Sequence, residues 1–164
     1  MKRTTLILLT LVFCCAGVHT QTRSGKSDAA AGTPKKETSR RRVVSLPGTT
    51  PNGLFSPAIV SGEFVFTSGQ IGIDPKTGQL AEGGIEAQTE QVFRNLRAVL
   101  EAAGSSTEHI LKATVFLADM GDYNTMNELY RRQFKGDPPA RTTVQVARLP
   151  RDARIEIEAI AIVK

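Results

Sequence analysis

Chemistry in this chain of 164 residues is concentrated near its C-terminal end, where a guanidinium and two carboxylates stand on two stretches of strand-forming sequence. Arg141 follows Pro138-Pro139-Ala140 and opens the run Thr142-Thr143-Val144-Gln145-Val146. Glu156 and Glu158 lie in Arg154-Ile155-Glu156-Ile157-Glu158-Ala159-Ile160-Ala161-Ile162-Val163. The planar fork of a guanidinium grips a carboxylate through two parallel hydrogen bonds. A protein carboxylate held near it is able to take a proton from water and give it back. The pair suits a small carboxylate substrate that is to be hydrolysed.

Both runs are rich in β-branched residues, and Leu149-Pro150-Arg151-Asp152-Ala153 between them is turn sequence. In the second run Ile155, Ile157, Ala159, Ala161 and Val163 alternate with Arg154, Glu156 and Glu158, which predicts a strand with one buried face and both carboxylates on the other. Direct pairing of the two strands around the turn would put Ala147 near Ile155 and Arg141 opposite a residue close to Ala161. Glu156 would then lie on the order of 17 Å away, at roughly 3.4 Å per residue. No small substrate spans that distance. Either the strands are not neighbours, or Arg141 meets a Glu156 from another subunit, which is the expectation here.

Three ordered blocks give the chain a likeness. They are Thr67-Ser68-Gly69-Gln70-Ile71 with Asp74-Pro75-Lys76-Thr77-Gly78, Thr114-Val115-Phe116-Leu117-Ala118-Asp119-Met120 with Asn127, and Pro139-Ala140-Arg141 with Val146-Ala147-Arg148-Leu149-Pro150 and Ile155-Glu156-Ile157-Glu158-Ala159-Ile160-Ala161. Together they resemble the RidA (YjgF) family of imine and enamine deaminases, from about Gly53 to Lys164. The resemblance implies a chorismate-mutase-like α+β fold, homotrimers with ligand clefts between subunits, and cofactor-free hydrolysis of 2-imino or 2-enamino acids to 2-oxo acids and ammonia. It also implies that Arg141 anchors the substrate carboxylate, that Glu156 activates water and that Asn127 lies in the pocket. Two positions depart from the family. Gly53-Leu54-Phe55 stands where Gly-Pro-Tyr is common, so the ring is kept and the hydroxyl lost, and Thr143 replaces a usual Cys. Phe55, Ser68, Gly69, Asn127, Arg141 and Thr143 form the expected substrate-binding set, with Arg141 and Glu156 catalytic.

Several elements must position these residues. Ala58-Ile59-Val60 and Glu63 to Thr67 read as a hairpin turning at Ser61-Gly62. Ser68-Gly69 ends the second strand, and Gly69 admits close approach of a ligand or backbone. Asp74 to Gly78 is a turn. Val92, Leu96, Val99, Leu100 and Ala103 repeat at helical spacing within a helix from Ile85 to Ala103 that stops at Gly104, with Glu90 and Arg94 paired on its exposed side. Ile110 to Leu117 reads as a strand buried on both faces. A second helix from an Asp122 cap to Phe134 buries Met126, Tyr130 and Phe134. The order β-β-α-β-α-β-β predicts an α+β two-layer sandwich, with two helices on one face of a mixed sheet.

The N-terminal part has another character. Lys2 and Arg3 precede an apolar run from Leu6 to Val18, so residues 1–20 read as a secretory signal peptide, cleaved after Ala16 or Gly17; acylation at Cys15, which would tether the protein to a membrane, is the alternative. Residues 21–42 carry charge and small residues without hydrophobic periodicity and read as a disordered basic linker ending in Arg40-Arg41-Arg42. The folded domain is then 43–164, and the expected location is periplasmic or secreted. Of the 21 Lys+Arg, nine lie in residues 1–42 against two acids, leaving 12 basic and 14 acidic residues beyond. The domain therefore lacks the basic footprint of nucleic-acid binding. The chain's two cysteines, Cys14 and Cys15, lie in the leader, and isolated His109 reads as a loop or helix-end residue, so no metal site is expected. An exported protein that binds small carboxylates in the same cleft without turnover is the alternative function, since fold alone does not choose.

Overall fold

The computed structural model describes residues 41–46 and 53–164, all within one compact unit, Lys36–Lys164. The expected signal peptide, with Cys14 and Cys15, and residues 21–40 of the expected linker lie outside the described residues. Nine elements follow in order: β1 (Arg41–Val44), β2 (Ala58–Ser61), β3 (Phe64–Thr67), β4 (Gln70–Ile71), α1 (Gly84–Ala103), β5 (Ile110–Leu117), α2 (Tyr123–Arg131), β6 (Ala140–Gln145) and β7 (Ile155–Ile162). The strands form one sheet in the order β1-β2-β3-β7-β5-β6, with β4 also pairing β7. β5 and β6 are parallel and the other pairs antiparallel, so the sheet is mixed.

Alternation decides which way each strand faces. Ile155, Ile157, Ala159 and Ala161 of β7 are buried, as are Ala113, Val115 and Leu117 of β5 and Val65 of β3. They pack under α1, which buries Val92, Phe93, Leu96, Val99 and Leu100, and under α2 through Met126 and Tyr130. Phe93, Tyr130 and Phe134 join the two helices edge to face, at centroid distances of 5.5 Å and 6.2 Å from Phe93. Both helices thus cover one face of the sheet, giving the expected α+β two-layer fold. Gly104 closes α1 in the left-handed conformation, φ 85°, while the Ser105 amide donates to Leu100 O.

The structure departs from the sequence reading in five places. Arg41 and Arg42, assigned to the disordered linker, belong to β1, where they pair with Ser61 and Val60 and the Arg42 guanidinium donates to Ala103 O; the Val43-Val44 strand extends back along the free edge of β2. With them, residues 41–164 hold 14 basic and 14 acidic residues. β4 forms where the strand was expected to end, because the chain returns to pair with β7. β5 is buried on one face only, with Leu111 exposed and Lys112, Thr114 and Phe116 half-buried, since no layer among the described residues covers its far side. α2 ends at Arg131, before Phe134. The Asp122 side chain makes no cap bond and instead pairs with Arg154 at 2.7 Å, the stronger partner for a carboxylate.

Candidate functional site

Glu156 stands on the sheet face away from the helices, opposite Ile71 of β4 and Phe116 of β5. Its carboxyl group lies directly over Gly69. A Cβ at that position would fall 2.7 Å from Glu156 Cδ and 2.9 Å from Cγ, closer than packed carbons come. Gly69 is therefore what admits the carboxylate to this spot. Burial first, and then the like charge of Glu158 on the same face, hold the Glu156 pKa above the ordinary carboxylate value. A carboxylate so tuned is a better proton acceptor near neutral pH than a free one.

Next to it opens a cavity of about 920 Å³ lined by Phe55, Ser68, Gly69, Gln70, Ile71 and Glu156, among others. Ser68 lines it as expected, but its hydroxyl donates to Ser56 O at 2.7 Å, and its amide donates to Pro57 O. These bonds fasten the 53–57 loop to the end of β3. Phe55 on that loop is 61% exposed and lines the cavity with its aromatic ring.

Arg141 is elsewhere. It opens β6 opposite Ala113 and faces the helix layer, where its Nη2 donates to Asn127 Oδ1 at 2.6 Å. The guanidinium lies over the Tyr130 ring at 4.6 Å and 5.8 Å from the Tyr123 ring centroid, with Nη1 3.9 Å from Met126 Sδ. Cation–π attraction and the amide bond fix the fork. Tyr130 has its pKa pushed up to about 12 by burial, with the Arg141 charge opposing the rise, and its hydroxyl has no hydrogen-bond partner among the described residues. Thr143, two residues along β6 on the same side, has a buried hydroxyl that is likewise unpartnered.

The expected residues thus form two groups. Phe55, Ser68, Gly69 and Glu156 share one cavity, and Arg141 and Asn127 form another group with Thr143 beside them. β5 intervenes between β6 and β7, so the final two strands do not pair. Arg141 is opposite Ala113, which is opposite Ala159, three positions from Glu156. Two strand spacings of about 4.8 Å and three steps of about 3.4 Å separate the two Cα atoms by roughly 14 Å, with the side chains on opposite faces. Within one chain the guanidinium and the carboxylate do not meet. The sequence reading missed the role of Tyr130, Tyr123 and Met126 around Arg141. Tyr130 and Met126 were assigned to the core from helical spacing, which does not reveal that their rings and sulfur also touch β6.

Known proteins resemble this chain in sequence and fold. Residues 48–163 match the family model described as endoribonuclease L-PSP. A human 2-iminobutanoate/2-iminopropanoate deaminase is 46% identical over 125 residues, 74% of this chain and 90% of that protein. A RutC family protein of Pyrococcus horikoshii is 53% identical over 68% of this chain and 88% of its own length. Among solved structures, RidA from an Antarctic Psychrobacter is 39% identical with a TM-score of 0.70, covering 74% of this chain and 99% of that one. E. coli TdcF with bound serine is 37% identical with a TM-score of 0.68, covering 75% and 99%. The three ordered motif blocks, the two-layer fold and these likenesses agree, and the chain belongs to the RidA (YjgF) family.

Proposed function

We propose that the protein hydrolyses 2-imino and 2-enamino acids to 2-oxo acids and ammonia, in a site built from Glu156 of one subunit and Arg141 of the next in a homotrimer. The observation that carries this reading is the placement of a half-buried carboxylate of raised pKa over Gly69, on the opposite side of the sheet from a guanidinium fixed by Asn127 and Tyr130. Each half lacks its complement within the chain. The uncovered sheet face, with Phe64, Phe66 and Ile160 exposed, offers the apolar surface that subunit contact requires. The human relative's deaminase name and the serine held by TdcF support an amino-acid-derived carboxylate as ligand.

The chemistry follows from the groups. The Arg141 fork holds the substrate carboxylate and orients the adjacent C=N carbon. Glu156 takes a proton from water as the oxygen attacks that carbon and returns it to nitrogen, giving a neutral carbinolamine. The same carboxylate then carries the carbinolamine hydroxyl proton to nitrogen; the C–N bond breaks, ammonia departs and the carbonyl forms. An enamine enters as its imine tautomer. No redox change occurs, and the reaction requires no cofactor. An RNA-cleaving role, which the family model's description suggests, finds no support in the balanced charge of residues 41–164.

The test is ammonia release from an imine made in situ by an amino-acid oxidase. Arg141→Ala is expected to abolish binding and turnover, and Glu156→Ala to abolish turnover while keeping carboxylate binding. Co-expressing the two inactive variants then reads the shared site. Random assembly leaves both groups intact at one interface in four, so roughly a quarter of wild-type activity returns. No recovery would refute a site shared between subunits. Binding without acceleration in the wild-type protein would favour the carboxylate-binding alternative. Export, from the Lys2-Arg3 and Leu6–Val18 pattern, is part of the proposal and is tested by the N-terminus of the mature protein.

A further inference from the structure

Arg154, just before β7, ties four elements together. Its amide donates to Gln88 Oε1 of α1 at 2.8 Å, and its carbonyl accepts from the Ala118 amide, one residue beyond β5, at 3.0 Å. Gln88 is buried, so the backbone is fixed here on both sides. The side chain reaches further. Nε and Nη2 both donate to Asp122 Oδ2, at 2.8 Å and 2.7 Å, and Asp122 is the residue before α2. The Asp122 side chain is only 14% exposed, so water and salt screen this charge-assisted pair less than the Glu90–Arg94 pair of α1, which is more than half exposed and 3.7 Å apart.

α2 depends on such a tie. Its nine residues are too few to hold a helix by themselves, and no side chain caps its N-terminus. The later part is held by the core, where Tyr130 packs on Phe93 and Phe134. Of the first five residues only Met126 is buried, yet these five include Tyr123 and Asn127, and Asn127 Oδ1 takes the 2.6 Å bond from Arg141 Nη2. A shift of about 1 Å there would stretch that bond beyond hydrogen-bonding distance. We infer that Asp122 and Arg154 are positioning residues for substrate anchoring: their ion pair holds the start of α2 where Asn127 fixes the Arg141 fork. This rests on the deaminase reading and adds to its site two residues that act through Asn127. The pair does not set Glu156, because the two backbone bonds of Arg154 keep the start of β7 in place without its side chain.

The full chain is assayed for ammonia release from an imine made in situ from alanine. Asp122→Ala and Arg154→Ala are each expected to raise KM about fivefold and to change kcat less than about twofold, with the acid limb of the pH profile unmoved. Arg154→Lys keeps the charge and a donor and is expected to restore most of the affinity. The Asn127→Ala background separates positioning from general loosening. Adding Asp122→Ala there is expected to change KM less than about twofold, since the group acted upon is gone. A wild-type KM in Asp122→Ala, a full fivefold rise in the Asn127→Ala background, or a kcat that falls as far as KM rises overturns the inference and leaves the deaminase reading intact. So does an equal KM rise in Glu90→Gln, which breaks the exposed pair on α1. If the wild-type protein accelerates no imine, the deaminase reading fails, and titration with 2-oxobutanoate decides the pair separately: binding about fivefold weaker in both alanine variants supports it, and binding equal to wild type overturns it.

Discussion

Gly69→Ala is the smallest change that separates the fold from the chemistry. The new Cβ would stand 2.7 Å from Glu156 Cδ and 2.9 Å from Cγ, where ordinary carbon contact requires roughly 3.5–4.0 Å. Glu156 Oε1 would stand closer still, so the carboxyl group must move by at least about 1 Å, and the atoms in the way belong to the end of one rotatable side chain rather than to backbone. The Gly69 backbone is outside the positive-φ region, so alanine is conformationally acceptable there. Glu156 therefore swings away and the fold stays. A displacement of about 1 Å of a catalytic group costs on the order of 100-fold in rate, or about 2.7 kcal/mol of transition-state stabilisation. The assay is kcat for ammonia release from an in situ imine, set beside a urea unfolding curve. The expected result is a kcat down about 100-fold with a stability loss under about 1 kcal/mol. A wild-type kcat in a folded Gly69→Ala protein would refute the argument that Gly69 exists to seat Glu156.

Other outcomes follow from the same geometry. Because burial and then Glu158 raise the Glu156 pKa, the acid limb of the kcat/KM profile should lie above the ordinary carboxylate range, and Glu158→Gln should shift it to lower pH. The stability sign is the reverse of the usual carboxylate case. The folded state holds the Glu156 proton more tightly than the unfolded chain, so this group's contribution falls as pH rises from the unfolded to the folded pKa; Glu156→Gln should match wild type in acid and be the more stable at neutral pH in urea melts. Asn127→Ala removes the bond that orients Arg141 and should raise KM about tenfold with a smaller effect on kcat, whereas Tyr130→Phe keeps the ring under the guanidinium, removes an unpartnered buried hydroxyl and should change KM less than threefold. Gly72→Ala is the contrast to Gly69→Ala: its Cβ would strike Gln88 Cα, which is helix backbone, at 2.8 Å, so a loss of about 1–3 kcal/mol of stability is expected in denaturant melts.

Local pattern made much of the protein legible. The helix over Gly84–Ala103 and the alternation of β7 answer to periods of 3.6 and 2 within a few turns of chain, because burial of one face rewards that period wherever the partner lies, whereas Ile110–Leu117 was legible as a strand from its apolar run but not as one buried on a single face. Arg141 and Glu156 also stood out, since a guanidinium at a strand start and carboxylates on a polar strand face are visible from residue type alone. Ser68 and Gly69 were legible as a strand end, though not as an anchor for the 53–57 loop and a seat for a carboxylate.

Tertiary structure decided the rest. Which strand separates β6 from β7 depends on β5, more than twenty residues upstream of Arg141, and periodicity contains no term for long-range partners. That insertion turns Arg141 toward α2 and leaves Glu156 on the far face, so it decides that the two groups cannot meet within one chain. Asp122 reads locally as a helix cap, and only the arrival of Arg154 from the start of β7 diverts its carboxylate. The Tyr130 ring was readable as buried at helical spacing, but its position under a guanidinium required α2 to settle across the first residues of β6. The sequence determined which residues are of a type able to carry chemistry and which faces are apolar, because both are set by side-chain type and short-range spacing. The pairing of distant strands determined which of those residues share a cavity.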